Sequence, residues 1–348
     1  KDWEWARKIL VVRNDNIGDV ICTTPALEAL RQAYPKAHIA VLVAKYTKEA
    51  VEGNPFVDKV YSYQKAKHAG FAGESKLKAW VDQLRLIRDI RKEKFDIAIG
   101  IRSKFTPSLG WLVFASGAPL RVGHRPRPKD WILSFFFNLF AADETELRHE
   151  VERAMGVVRA IGVDAPKKRL WLDIPSAEHG QAMKFIGEHR LKRGRRLVCL
   201  HLTSRMEENR WWSPENYVRI AQYLLGRKDV DLVLNWTPKD QGLADTIMRE
   251  LGYRPLVYSA SSLKGFAAFA KQCDLLITLE GGAMHLSAAV GTPTLAIFGS
   301  TSDIIWSPWG DKNITLRGGD HANSVKPEDV IAAVDRMLPT TDKLPSVP

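Results

Sequence analysis

LLITLEGGAMHLSAAVGTPTLAIFGST, residues 275–301, holds a strand, a glycine turn, a helix and a second strand in one short passage. Residues 275–279 are apolar with β-branched members, which suits a strand buried on both faces. Gly281 and Gly282 interrupt that run, and residues 283–290 then follow a helical pattern. Gly291-Thr292-Pro293 stops the helix, and residues 294–298 (TLAIF) are apolar again. A strand, a helix and a strand in such close order predict a parallel pair with a helical crossover.

The same rhythm extends in both directions. Upstream, residues 195–201 (RRLVCLH) and 230–234 (VDLVL) read as strands, and 214–225, 239–251 and 263–272 as helices. Downstream, residues 328–338 close the series with another helix. The N-terminal part repeats the alternation. Residues 9–12 (ILVV), 39–43 (IAVLV), 57–60 and 95–101 (FDIAIGI) read as strands, and 25–34 and 77–94 as helices. The fold class is therefore α/β, with two Rossmann-like parallel-sheet domains expected to face each other across a cleft. The expected domains are 1–175 and 176–338, divided within a polar stretch that carries one linking helix. A loose tail is expected over 339–348. Ligands of such sheets bind beyond the C-terminal strand ends, at helix N-termini.

A chain of 348 residues, 45% hydrophobic and 26% charged, suits two globular domains, each able to bury its own core. Cys22, Cys199 and Cys273 are too few and too scattered for a disulfide framework or a zinc site. They read as small core residues in a reducing, cytoplasmic compartment. The longest apolar run, 131–142 (WILSFFFNLFAA), is short of the roughly 20 residues that span a bilayer. The opening KDWEWARKILVV lacks the layout of a secretory signal.

The charge is unevenly distributed. Residues 1–172 carry 30 Lys and Arg against 20 Asp and Glu, and residues 173–348 carry 21 against 20. An acidic partner should therefore meet the N-terminal half. Anionic lipid or a phosphorylated sugar fits that requirement. Nucleic acid is not expected, because no recognition motif is present.

Four strand-end segments carry candidate chemistry. In RNDNIGDV (13–20), Gly18 permits a tight turn and Pro25 suits the first turn of the following helix. Asp19 could accept a proton from a hydroxyl, or Asp15 or Asp19 could cap a turn or helix. In EGGAMHL (280–286), Gly281 and Gly282 allow close approach of the backbone to a ligand, and the helix start favours a diphosphate. Glu280 could hold hydroxyl groups. His285 could assist at phosphate or pack beneath the loop. In HLTSR…RWWSPE (201–215), Thr203 and Ser204 offer hydroxyls, and Arg205 or Arg210 offers a phosphate fork. Ser213-Pro214-Glu215 has the form of a helix start, with Trp212 as its core anchor. Gly299-Ser300-Thr301 ends the last strand as a turn or a phosphate contact. No well-placed GxGxxG or Walker loop occurs, which weighs against a nicotinamide enzyme.

The stretches IGDVICTTPAL (17–27), HLTSR…RWWSPENY (201–217) and EGGAMHLSAAVGTPTLAIFGST (280–301) resemble glycosyltransferase family 9, the ADP-heptose:lipopolysaccharide heptosyltransferases. The resemblance implies a GT-B architecture and an inverting transfer with neither metal nor cofactor. It implies an ADP-sugar, most simply ADP-heptose, on the C-terminal domain. A lipopolysaccharide-core or similar acceptor would bind the N-terminal one. Asp19 matches the family's catalytic aspartate. Thr203, Ser204 and Arg210 match its diphosphate contacts, with arginine in place of the usual lysine. Gly282 and His285 match its donor loop, where Glu280-Gly281-Gly282 replaces the usual Asp-Thr/Ser-Gly. Arg13, Asn16, Arg102 and Arg125 are the acceptor-side candidates. The basic stretch 121–129 and the aromatic run 131–140 are a candidate contact with the cytoplasmic face of the inner membrane. A related nucleotide-sugar epimerase, or a non-catalytic binder of sugar nucleotides or other anions, is the alternative reading.

Overall fold

The structure, a computed structural model, describes residues 5–64, 76–142, 146–203, 210–252 and 254–339. These fall into two compact units that divide between Asp173 and Ile174. The fold is α/β, a pair of Rossmann-like parallel sheets of the GT-B class. Ser204, Arg205 and residues 340–348 of the expected tail lie outside the described residues.

The first unit runs β1 (Lys8–Arg13), α1 (Ile17–Ala33), β2 (His38–Ala44), β3 (Lys59–Tyr63), α2 (Lys76–Glu93) and β4 (Ile97–Gly100). It continues with α3 (Pro107–Ala115), β5 (Leu120–Gly123), β6 (Leu139–Phe140) and α4 (Glu150–Arg159). The sheet order is β3-β2-β1-β4-β5-β6, and every neighbouring pair is parallel. Strand order reverses direction between β1 and β4, so ligand chemistry is expected at their C-terminal ends.

The second unit starts with α5 (Ser176–Glu188), the linking helix, then β7 (Arg196–Leu202), α6 (Pro214–Gly226), β8 (Val230–Trp236), α7 (Gln241–Leu251) and β9 (Leu256–Val257). It ends with α8 (Leu263–Ala270), β10 (Leu275–Leu279), α9 (Gly282–Ala289), β11 (Thr294–Phe298), α10 (Asp303–Trp306), β12 (Ile314–Arg317) and α11 (Pro327–Met337). Its order, β12-β11-β10-β7-β8-β9, reproduces the topology of the first unit, again all parallel. The corresponding reversal falls between β10 and β7.

Central strands are buried on both faces, which is why they read as continuous apolar runs. Trp212 anchors the second core. It is fully buried, its indole N–H donates to Val325 O at 2.9 Å, and its ring meets Tyr217 edge-on. Ser213 caps α6 by accepting the Asn216 N–H at 3.4 Å. The three cysteines are buried free thiols.

The structure corrects several local expectations. Helix α1 begins at Ile17, so Gly18 and Asp19 lie in its first turn and Pro25 lies inside it. Proline has no N–H for the Ile21 carbonyl four residues back. The Thr24 hydroxyl donates to that carbonyl at 2.7 Å instead, so the helix runs on. On α2, Trp80 and Leu84 are exposed, and Ile87 and Ile90 are buried. Residues 131–140 form no α-helix. Pro128–Phe136 is a 3-10 segment, and Leu139–Phe140 completes the sheet edge. Among the described residues, no helix is long and apolar enough to cross a membrane.

Candidate active site

In the first unit, β1 delivers Arg13 to the C-terminal edge of the sheet, and the loop 14–16 turns into α1. Asp19 occupies the third helical position, where its Oδ2 accepts the Asn16 N–H at 3.1 Å. Asp19 is thus a helix-capping residue, as one of its two sequence readings expects. It is also more than that, because its Oδ1 accepts from Arg13 Nη2 at 2.7 Å. Each carboxylate oxygen has two acceptor positions, and these two bonds use one on each.

Arg13 corrects an expectation. It is only 1% exposed and cannot meet an acceptor directly. Its Nη2 reaches three carboxylates: Asp19 at 2.7 Å, Glu150 at 2.8 Å and Asp15 at 3.3 Å. Burial alone disfavours the Arg13 charge, but Asp15, Glu150 and Asp19 more than offset that, and its pKa is raised. Arg102, from the end of β4, lies 3.4 Å from Asp15 Oδ1 and donates to Thr106 Oγ1 at 3.4 Å. Asn16 is exposed, and its Oδ1 accepts from the Tyr46 hydroxyl at 3.1 Å. Tyr46 also donates to Asp15 O at 2.7 Å. Burial, with the Asp19 and Asp15 charges, pushes the Tyr46 hydroxyl up to about 12. Asn16 and Arg102 therefore adjoin Asp15, while Arg125 is exposed with its guanidinium 4.4 Å over the Phe140 ring.

Glu150 escaped the sequence reading. It opens α4, where an acidic residue usually complements the helix dipole at the surface. Here it is 0% exposed, and its Oε1 accepts from Arg13 at 2.8 Å. The only local signal is the adjacent N-cap, His149, whose Nδ1 accepts the Val151 N–H at 3.1 Å. That signal marks a helix start without showing which face packs inward.

In the second unit, the strand ends of β7, β10 and β11 lie side by side. Thr203 follows β7 and is buried, and its carbonyl accepts from the Tyr217 hydroxyl at 3.1 Å. Glu280 follows β10 at 3% exposure. Its Oε1 accepts the Gly299 N–H at 2.9 Å and lies 3.7 Å from Arg210 Nε. One carboxylate thus ties together segments that reading along the chain lists separately. Glu280 was expected to serve hydroxyl groups; its Oε1 is engaged by the Gly299 N–H and lies near Arg210.

Gly281 adopts φ 154°, a conformation open to glycine, and releases the chain into α9. The first turn of α9 contains no acidic residue, so its N–H groups and positive dipole end favour an anion. Gly282 is the first helical residue, and its lack of a side chain leaves the backbone accessible. His285 is buried with its ring edge-on to Trp306 at 6.2 Å, in keeping with the reading that packs it beneath the loop. Between β7 and β8, His201 Nδ1 contacts Asn235 Oδ1 at 2.7 Å, and Asn235 Nδ2 donates to Tyr258 O at 2.7 Å. Among the described residues, no group of three or more His, Cys, Asp and Glu is placed to hold a metal ion.

A family model described as glycosyltransferase family 9 (heptosyltransferase) matches residues 83–331. That span contains Glu150, Arg210 and the 280–285 loop; Asp19 precedes it. Lipopolysaccharide heptosyltransferase 3 of Escherichia coli is 25% identical over 348 residues, covering 93% of this chain and 97% of the relative. A glycosyltransferase family 9 crystal structure from Veillonella parvula superposes with TM-score 0.83 at 24% identity, over 95% of this chain and 97% of the other. An Escherichia coli heptosyltransferase solved with ADP gives TM-score 0.75 at 19% identity, over 95% and 99%.

Proposed function

Because this chain belongs to glycosyltransferase family 9, the heptosyltransferases, we propose that it moves heptose from ADP-heptose onto a lipopolysaccharide-core or similar glycan acceptor, inverting the anomeric centre. It is a glycosyltransferase; the donor sugar, the stereochemistry and the acceptor are the proposal. The observation that carries it is the brace in the second unit, where Arg210, Glu280 and Gly299 meet beside a glycine-released helix N-terminus. A leaving diphosphate gains negative charge as its bond to the sugar breaks. Arg210, Thr203, Ser204 and the N–H groups at Gly282 supply the compensating positive charge and hydrogen bonds without requiring a metal.

Asp19 acts as general base in this scheme. It takes the proton of the acceptor hydroxyl as that oxygen bonds to the anomeric carbon. The carbon–oxygen bond to the β-phosphate breaks, and ADP leaves with the electron pair. Asn16 adjoins the base and Arg102 adjoins Asp15, and the two would steer an anionic acceptor. A melting-temperature panel tests the donor assignment, because a ligand of the native state raises the transition. ADP and ADP-heptose are expected to stabilise the protein more than UDP, GDP or their sugars. Equal shifts for all nucleotides would remove the adenine-diphosphate reading. Isomerised donor in the absence of acceptor would favour an epimerase, and ADP binding without transfer a silent binder.

A surface feature supports a cytoplasmic enzyme that works at the inner membrane. The 3-10 segment leaves Trp131 70%, Ile132 66% and Phe135 50% exposed. Phe135 meets Phe114 at 5.2 Å, and Arg121 lies 5.5 Å over the Phe114 ring. Arg125, Arg127 and Lys129 are exposed just before them. Aromatic side chains flanked by cations suit the headgroup layer of an anionic bilayer. The protein is expected to float with phosphatidylglycerol vesicles at low salt. Replacing Trp131 and Ile132 with Ser should weaken that binding about tenfold, by removing apolar area from the interface. Failure to float at low salt would eliminate the membrane contact.

A further inference from the structure

We propose that Arg13 and Glu150 are positioning residues for Asp19, with Arg13 aiming the carboxylate and Glu150 sharing the Arg13 cation with it. This rests on Asp19 being the base. The Asp19 carboxylate lies 2.7 Å from a fully buried guanidinium. Glu150 meets the same group. Its oxygen lies 2.8 Å from the same nitrogen, Nη2, so one cationic centre is divided between two carboxylates. Glu150 approaches from α4 and is entirely buried, so water screens its charge little.

The surrounding charges are nearly balanced. Asp15 also faces Nη2, at 3.3 Å, and is itself met by Arg102 at 3.4 Å. Arg153, one turn along α4, lies 4.0 Å from the second oxygen of Glu150. Three guanidinium groups therefore face three carboxylates. Tyr46 and Cys22 also sense the Asp19 charge, but burial raises the pKa of each, so both remain neutral near pH 7. Burial likewise raises the Glu150 pKa, and Arg13 opposes the rise.

Geometry adds a second function. Arg13 Nη2 and the Asn16 N–H hold the two oxygens of Asp19 separately, which fixes the plane of the carboxylate. A base must be aimed before its basicity matters. Arg13 is in turn fixed by Glu150, from a helix 137 residues away in sequence.

Two near-isosteric variants test the idea by opposite signs. Glu150→Gln keeps an acceptor for Arg13 but removes a negative charge, so the cation is left to Asp19 and Asp15. The acid limb of the kcat pH profile should then move down by about one pH unit, and plateau kcat should fall about tenfold. Arg153→Gln removes a positive charge beside Glu150, and the limb should move up. Donor KM should be unchanged in both, since both residues belong to the first unit. A 13C titration of the Asp carboxyl resonance that Asp19→Asn abolishes gives the same shifts independently of activity. A purely structural role would lower stability without moving that titration in opposite directions.

If Asp19→Asn is inactive while both variants leave the Asp19 titration and the acid limb where the parent has them, the positioning inference is overturned. If Asp19→Asn keeps its turnover, the base assignment itself falls. The two failures are therefore distinct.

Discussion

Replacing Asp19 with Asn is expected to lower turnover about 10²–10⁴-fold, the range typical of general-base catalysis, while ADP affinity stays near that of the parent. The substitution is nearly isosteric. The side-chain oxygen of Asn can still accept from Arg13 or from the Asn16 N–H, the two bonds that hold Asp19 at 2.7 and 3.1 Å. It loses the negative charge that would take the acceptor proton. The loss should therefore appear in kcat, with little change in donor KM. Single-turnover transfer, combined with calorimetric titration of ADP, separates the two quantities. Melting temperature should fall modestly, because a capping interaction is weakened and one charge of a buried cluster is removed. Full turnover in this variant would mean that Asp19 is only a cap.

Removing the Arg210 side chain should act on the other half of the reaction. Arg210→Ala is expected to weaken ADP binding about 10- to 150-fold, the value of a charge-assisted hydrogen bond to phosphate. Arg210 also lies 3.7 Å from the Glu280 carboxylate, which is nearly buried. Its removal takes a positive charge away from Glu280, so some stability should be lost together with affinity. Arg210→Lys separates these effects. It keeps the charge but not the planar fork, and should recover stability better than affinity. Unchanged ADP affinity in Arg210→Ala, measured by calorimetry, would remove Arg210 from the diphosphate site.

Much of the second unit's site was legible before any coordinates. The passage 275–301 contains its own strand, turn, helix and strand, and β10 and β11 have the bounds that the apolar runs predict. Local chemistry suffices there, since Gly281 releases the chain and the first turn of α9 holds no acidic residue to oppose an anion. The Ser213 cap was equally readable, because a cap acts over three residues. The exposed aromatic segment was legible only as composition. That Trp131, Ile132 and Phe135 stay exposed depends on a 3-10 path that the aromatic run alone does not dictate.

The amino-acid sequence by itself determined two parallel-sheet units, the strand ends where chemistry belongs, and the candidacy of Asp19, Arg210 and the glycine loop. These follow from period, turn chemistry and helix-terminus electrostatics, all of which act within a few residues. Only the tertiary structure decided that Arg13 is an internal clamp rather than a surface contact, that Glu280 braces Arg210 and Gly299, and that Glu150 belongs with Asp19. A letter in the chain states a charge. Burial and partner choice depend on which distant helix or strand end packs against it, and in a low-dielectric interior those decide what the charge does.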